Sequence, residues 1–277
     1  MELNKSHSSS LFKRNVRKFV RNKLAMLGLI VVLAIVFMCV AAPLLTDYEP
    51  SKPDFKAQTE APSAEHLLGT DKLGRDVFSR VLYGGRISIL IGVTGAFFGS
   101  AIGVILGSIA GYFGGWIDSL LIRISEVFQT FPEMILILIL GAIVGQGVGN
   151  LVFIFAITGW MTTFRMVRNE FLALRSETYV QVCEAFGMSK SAIMFKQILP
   201  NVLSPVIVST TVNIAGFILS EAGLSFLGVG IPVPLPEWGA MLAEGRNYIR
   251  SAPWMCIFPG LAIMLTVLSL NLMGDGL

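Results

Sequence analysis

The stretch "GAFFGSAIGVILGSIAGYFGG", residues 95–115, carries no charge and has a glycine at every fourth position. It lies within a longer uncharged run, Ile87–Ile117, which is long enough to cross a bilayer as a helix. Glycines at four-residue steps let helix backbones approach closely in lipid. Since four residues advance a helix by about 400°, the row drifts by about 40° per step. We therefore expect this helix to pack closely against more than one neighbour.

The composition extends this interpretation to the whole chain. Hydrophobic residues make up 54% of the 277 residues and charged residues only 14%, whereas a soluble domain is about 25% charged. The net charge of +3 is too small to suggest a nucleic-acid partner. These values predict an all-α integral membrane protein with one domain.

Hydropathy predicts six membrane-spanning helices. A turn at "GQGVGN", Gly145–Asn150, divides one long apolar stretch into two spans, and we find neither charges near mid-span nor a convincing internal repeat. The predicted spans are Ala25–Leu45, Ile87–Ile117, Glu126–Val144, Leu151–Asn169, Val202–Leu224 and Trp254–Met273.

The distribution of lysine and arginine predicts the orientation. The N-terminal tail, residues 1–24, holds seven basic residues and one acid, Glu2, which favours a cytoplasmic N-terminus. Six crossings then place the C-terminus in the cytoplasm too. Residues 46–86 become an external segment, and residues 87–277 form a five-helix core with a cytoplasmic loop at about 176–200.

That loop contains "YVQVCEAFGMSKSAIMFKQILPN", Tyr179–Asn201. Thr178 and Gln181 fit a capping box at a helix start, Gly187 fits a C-terminal stop, and Ser189 fits the cap of the next helix. Two turns of helix are not stable alone, so either this protein's own helix ends or a second protein must bury its apolar stripe. The stripe comprises Tyr179, Val182, Cys183 and Phe186.

Other polar groups are weaker candidates. There is no G-x-x-x-x-G-K-[ST] motif, so we do not expect this chain to hydrolyse ATP. His66 is predicted to be a solvated or turn-forming residue rather than a metal ligand. Glu126, Glu133 and Asn213 are weak candidates for a translocation path. For the two glutamates, the alternative is a solvated or ion-paired helix end.

The loop resembles the EAA loop of the membrane subunits of bacterial ABC importers. Gln181-Val182-Cys183 stands where that family has Glu-Ala-Ala, so all three leading positions depart from the pattern. Gly187 matches the family's glycine, and Leu199-Pro200 matches its Leu-Pro.

Three further blocks resemble the dipeptide, oligopeptide and nickel permease subfamily. They are "HLLGTDKLGRDVFSRVLYGGRISILIG" (residues 66–92), "LSEAGLSFLGVGIPVPLPEWGAML" (219–242) and "PWMCIFPGLAIMLTVLSLNLMGDGL" (253–277). With the long external segment, they are similar to the C-type of its two permease subunits. Such subunits usually continue for several residues beyond the position of Leu277.

The resemblance implies the type I ABC importer permease fold in the bacterial cytoplasmic membrane. It implies a B-type permease partner, two ABC ATPases that bind ATP and Mg²⁺, and an extracytoplasmic solute-binding protein, with no cofactor on this chain. Contact with the ATPases is implied for Tyr179, Gln181, Val182, Cys183, Glu184, Ala185, Phe186, Gly187, Leu199 and Pro200.

The resemblance also implies that the external segment contacts the binding protein, with Asp71, Arg75 and Asp76 as the residues to test. Their alternative role is an internal ion-pair turn. Peptides are the expected substrate, and nickel or a metal–chelator complex is the alternative. Rivals from other classes are an ion-gradient-driven secondary transporter, which favours broken helices and mid-span charges, and a membrane enzyme, which needs a converging set of catalytic groups.

Overall fold

The chain is built from α-helices. The computed structural model describes residues 19–232 and 234–277, so most of the predicted basic tail lies outside the described residues. Within the described ranges there is no strand, only an isolated bridge between Thr70 and Asp76. The helices are α1 Lys23–Val40, α2 Val77–Phe113, α3 Gly115–Gln129, α4 Glu133–Val144, α5 Val148–Arg175, α6 Thr178–Ala185, α7 Lys190–Phe226, α8 Trp238–Gly245 and α9 Trp254–Gly274.

Five of the described helices, α1, α2, α5, α7 and α9, are each long and apolar enough to cross a membrane. The third predicted span, Glu126–Val144, is wrong as a single helix, because α3 and α4 meet at an angle of 87°. Pro132 explains the break, since proline has no N–H to donate and disfavours helical backbone in the residue before it. The bent pair passes the same test of length and hydropathy as one span.

Two helices begin earlier than hydropathy predicts. Helix α2 starts at Val77 rather than Ile87, and α7 starts at Lys190 rather than Val202. Arg80 and Arg86 lie in the early part of α2. Arg80 is buried, and Arg86 donates to the carbonyl of Cys39 over 2.6 Å. Charged residues at a helix end therefore lowered the hydropathy there without ending the helix.

The glycine row of α2 packs against α5, and α2 also packs closely against α7, so the prediction of more than one neighbour for this helix is confirmed. A Cβ at Gly92 would lie 2.6 Å from Cγ1 of Ile218, and Ser100 hydrogen-bonds to Thr210 over 2.8 Å. A Cβ at Gly103 would lie 2.6 Å from the carbonyl oxygen of Trp160 in α5. The partner positions also advance in four-residue steps, so the two rows drift together around their helices. The facing pairs are Gly95 with Phe155, Gly99 with Gly159, Gly103 with Thr163, Gly107 with Val167 and Gly111 with Phe171.

These pairs also fix the relative direction of α2 and α5. Residue numbers rise together along the contact, from Gly95 with Phe155 to Gly111 with Phe171, so the two helices run parallel. Two parallel membrane-spanning helices require the chain between them to return across the membrane. The bent pair of α3 and α4 therefore makes one crossing, and the predicted total of six is kept.

The chain divides into two compact units. The discontinuous unit comprises residues up to Leu90 together with Glu221–Leu277, and the continuous unit comprises Ile91–Ser220. In the discontinuous unit α1 packs on α9, and a Cβ at Gly28 would lie 2.5 Å from the carbonyl oxygen of Ser269. Trp238 of α8 is buried there and donates its indole N–H to the carbonyl of Val81 over 2.8 Å.

Candidate functional site

Helix α6 lies in the continuous unit, in the loop for which the sequence predicts a coupling function. The predicted capping box is wrong: the N-cap residue is Glu177, and its side chain makes no capping hydrogen bond. The side-chain amide of Gln181 instead donates to the carbonyl of Ser176 over 3.2 Å. The helix therefore begins without a side-chain cap, and its position depends on packing.

One face of α6 is held by the protein itself. Val180 is fully buried, and Cys183 packs beside it against a core that includes Phe171, Ile198 and Val202. Burying a side chain such as valine contributes about 1.5–3 kcal/mol. Val180 was not part of the predicted stripe, and it is the residue that anchors the helix.

The remaining members of the predicted stripe stay exposed. Tyr179 is 37% exposed, Val182 46% and Phe186 86%. Partial burial raises the pKa of the Tyr179 phenol above its ordinary value. Of the four stripe residues, only Cys183 packs inward, so α6 presents an apolar surface that the described residues, 19–232 and 234–277, leave uncovered.

The end of α6 is confirmed as a glycine turn. Gly187 has φ +74°, which a Cβ disfavours, while the N–H of Gly187 bonds to Glu184 and that of Met188 bonds to Cys183. This pair of bonds is a Schellman motif. Ser189 then accepts from the N–H of Ala192 over 3.4 Å, as predicted for the next cap.

Helix α7 follows directly from this turn. Its residues Ile193–Ile198 form a π-helical segment, a feature often found at functional positions in helices. Leu199 is partly buried against the core that also holds Val180, and Pro200 is exposed.

A cavity of about 410 Å³ opens beside α6. The Tyr112 hydroxyl donates to Glu184 over 3.3 Å, and the guanidinium of Arg175 lies 5.8 Å from the Tyr112 ring centre. Charges of both signs, Glu184 and the cations Arg175 and Lys190, thus line a cavity on a different side of α6 from its exposed apolar side chains. The lining residues are Tyr112, Phe113, Arg175, Glu184, Met188, Lys190 and Ile193.

A second cavity, the mid-helix cavity, brings together two of the three weak translocation candidates. It measures about 330 Å³, and both Glu133 and Asn213 line it. Thr158 and Thr162, from the middle of α5, line it as well. The third candidate, Glu126, is not among its lining residues and forms an exposed ion pair with Arg123 over 3.0 Å.

In the discontinuous unit, the three residues proposed for docking form an internal turn. Asp71, Arg75 and Asp76 are each buried. Arg75 donates to Asp71 over 2.6 Å and to Glu244 over 2.8 Å, and Arg80 contacts both of these acids. We call Asp71, Arg75, Arg80 and Glu244 the external ion cluster. The burial and pairing of Asp71, Arg75 and Asp76 match the alternative role predicted for them, an internal ion-pair turn. Docking of the external segment to the binding protein stays a prediction.

His66 lies close to this cluster and is turn-forming rather than solvated, which is the second of the two roles predicted for it. It is 5% exposed, and its Nδ1 lies 2.9 Å from Asp76 Oδ1. The other carboxylate oxygen of Asp76 accepts from the N–H of Ser79 over 2.7 Å at the start of α2. His66 therefore supports the loop-to-helix turn.

Sequence reasoning missed two buried acids, Glu221 and Glu237. Glu237 caps α8, accepting from the N–H groups of Gly239 and Ala240, while Glu221 accepts from Ser225 over 3.3 Å. Both are fully buried in the discontinuous unit. Glu221 lies near the end of α7, so the expectation of no charges near mid-span stands for this helix. The sequence did offer one signal for Glu237: it is an acid directly before the helix that begins at Trp238, and acidic residues are enriched at helix starts.

The membrane-spanning helices and their parallel packing define a multi-pass membrane protein. A family model for the binding-protein-dependent transport system inner membrane component matches residues 103–277. A second model, for the N-terminal transmembrane domain of oligopeptide transport permease C, matches residues 10–62.

Curated relatives agree over nearly the full chain. The dipeptide transport system permease protein DppC of Alkalihalophilus pseudofirmus is 41% identical over 97% of this chain and 88% of its own length. The oligopeptide transport system permease protein OppC of Bacillus subtilis is 38% identical over 98% and 88%, and the glutathione transport system permease protein GsiD of Salmonella paratyphi A is 42% identical over 94% and 86%. The chain belongs to the binding-protein-dependent transport permeases, as a C-type subunit with the type I ABC importer permease fold.

Proposed function

We propose that this chain is the C-type permease of an ATP-driven peptide importer in the bacterial cytoplasmic membrane, with both termini in the cytoplasm. It pairs with a B-type permease, and together they form the path for the peptide. Two ATPase subunits bind and hydrolyse ATP with Mg²⁺ on the cytoplasmic side, and an extracytoplasmic binding protein delivers the substrate.

The peptide substrate is supported by the relatives, whose names specify dipeptide, oligopeptide and glutathione transport. Nothing among them favours the nickel or metal–chelator alternative. The position of Glu133 and Asn213 in one cavity supports a translocation path that passes the middle of α5 and α7. Glu126 has no part in this proposal.

The observation that carries the coupling role is the uncovered face of α6. Val180 fixes the helix to its own chain, while Tyr179, Val182 and Phe186 remain exposed. An ATPase groove that covers these side chains supplies the missing burial. The neighbouring cavity offers Arg175 and Lys190 to acidic groups of the ATPase and Glu184 to basic ones.

Helix α6 then transmits movement by a short route. The Schellman turn at Gly187 joins α6 to α7 with no flexible linker, so displacement of α6 by the ATPases moves the start of α7. Gln181, Ala185, Leu199 and Pro200 belong to the same segment, and the proposal assigns them to its contact surface or to its connection with α7.

The test is peptide-stimulated ATP hydrolysis by the reconstituted importer. Tyr179→Asp and Phe186→Ser should each lower the stimulation about tenfold, because a charge or a polar group replaces buried apolar contact at the interface. Leu277→Ser is the matched control: Leu277 is also exposed but lies at the end of the chain with no assigned role, and its change should have no effect.

Membrane insertion should be normal in all three variants, because none of these side chains is in the described core. Stimulation at the wild-type level in both α6 variants would show that α6 is not the coupling element. Gly187→Pro should also uncouple the complex, since proline removes the N–H that bonds to Glu184.

A further inference from the structure

The mid-helix cavity has an unusual charge balance. Glu133 is the sole ionisable residue among the described residues that line it, and the other polar members are amides and hydroxyls. The cavity therefore offers one negative charge and no positive charge. It attracts cations and repels anions.

Glu133 differs from the other acids of α3 and its neighbour α4. Asp118 pairs with Arg168 of α5, and Glu126 pairs with Arg123. No described cation lies within ion-pair distance of Glu133. A carboxylate without a counter-ion, in the middle of a membrane-spanning bundle, is a candidate for binding a cationic substrate group.

The break between α3 and α4 determines where the Glu133 carboxylate lies. Pro132 ends the irregular segment, and Glu133 is the first residue of α4. Thr158 and Thr162 face the same cavity from α5, and Asn213 faces it from α7. Broken helices that form a polar site near the middle of a bundle are typical of substrate sites in transporters.

From this geometry we infer that Glu133 binds the α-ammonium group of the peptide as it passes the mid-helix cavity. The inference rests on the proposed function, and it assigns the chemistry of one point on the path. A peptide has an ammonium group at one end and a carboxylate at the other, so a cavity of net negative charge selects the ammonium end.

The other lining groups suit this ligand. The side chains of Asn213 and Gln129 can bond to the first peptide groups, and the apolar rings of Phe128 and Phe217 complete the wall of the cavity. A volume of about 330 Å³ is at the lower end of the range for small-molecule sites. The cavity thus fits the end of a peptide rather than a long chain.

A competing explanation is purely structural. An acid in the first turn of a helix stabilises that helix end through the backbone N–H groups, and Glu133 occupies this position in α4. That role depends on the charge of Glu133 but not on the charge of the peptide. The test therefore compares two peptides as well as two variants.

The experiment uses the complete importer in proteoliposomes, with excess binding protein. The substrates are tri-alanine and N-acetyl-tri-alanine, which lacks the ammonium group. Glu133→Gln should lower tri-alanine uptake about tenfold, the effect expected from loss of a charge-assisted contact, without lowering the rate for the acetylated peptide. Glu133→Asp should restore most of the tri-alanine rate. Glu170→Gln, at an exposed acid of α5, is the matched control.

The outcomes separate the two proposals. If the wild-type importer shows no ATP-dependent tri-alanine uptake, the proposed function fails and this inference fails with it. If wild-type uptake is normal and Glu133→Gln matches it, the inference alone is overturned. An equal loss for both peptides also overturns it, because that result assigns Glu133 a structural role.

Discussion

A single carboxylate, Glu244, contacts two buried arginines in the external ion cluster. Its Oε2 accepts from Arg75 over 2.8 Å and from Arg80 over 2.9 Å. With Asp71 the cluster holds two acids and two bases, so its charge is balanced. Breaking a buried pair by removing one partner costs far more than the pair itself contributes, because a charge is left unpaired.

We expect Glu244→Gln to lower the stability of the purified protein by about 3 kcal/mol or more, since it leaves the cluster with an unbalanced positive charge. Thermal unfolding in detergent measures this change. Asp47→Asn, at an exposed acid of the external segment, should change stability by less than about 0.5 kcal/mol. Equal melting temperatures for the two variants would contradict the role of Glu244.

At the scale of single residues, local sequence patterns predicted the turn at Gly187 and the helix cap at Ser189. They did not predict which distant residues the side chains contact. Gly187 and Ser189 were identified because a helix stop and a helix cap depend on neighbouring residues. The contact between Arg80 and Glu244 joins residues 164 positions apart, so no local pattern contains it. Val180 was missed for a similar reason: its burial depends on Phe171 and Ile198, not on the pattern of α6.

At the scale of the helix, the glycine row of α2 makes a close backbone contact with α5 in the continuous unit. Gly103 has no room for a methyl group, because the carbonyl of Trp160 and the Cβ of Thr163 lie within 2.7 Å of that position. Gly216, in α7, has nothing within 4 Å of the position that a methyl group would take. These two helical glycines therefore allow a matched comparison.

Gly103→Ala should destabilise the protein by about 1–3 kcal/mol, because the two backbones must separate. Gly216→Ala should be neutral or stabilising by up to about 1 kcal/mol, since alanine is the better helix former. Thermal unfolding of the isolated chain checks both. A destabilisation of similar size in the two variants would show that the row is not a close-packing surface.

The glycine spacing predicted that α2 packs closely against more than one neighbour, and both α5 and α7 lie against it. It did not predict that the row itself follows α5 along its length. This happens because the facing positions on α5, from Phe155 to Phe171, drift around their helix in the same way. Hydropathy likewise found the apolar content of α3 and α4 but not their bend, because Pro132 changes direction without changing hydropathy.

At the scale of the whole molecule, the parallel course of α2 and α5 makes the bent pair a true crossing. The turn at 145–147 should therefore lie on the same side of the membrane as the external segment. A cysteine-free background removes Cys39, Cys183 and Cys256. Single cysteines at Phe55, Gly149 and Glu177, all exposed positions, then report the side of each loop.

In intact cells, a membrane-impermeant maleimide should label Phe55→Cys and Gly149→Cys, and should label Glu177→Cys only after permeabilisation. A re-entrant α3–α4 pair predicts the opposite for Gly149→Cys relative to Phe55→Cys. The count of six was predictable from apolar length alone, whereas the path of the third crossing depended on contacts between distant helices.

The external ion cluster also has a consequence for biosynthesis. Asp71, Arg75 and Arg80 leave the ribosome 164 or more residues before Glu244, a delay on the order of ten seconds or more at ordinary rates of synthesis. During that interval two arginines share one acid at a site that is later closed to water. A chain that stops before α8 never receives its second acid, so the balanced cluster, and the closed external turn that it holds, can form only after α8 has been made.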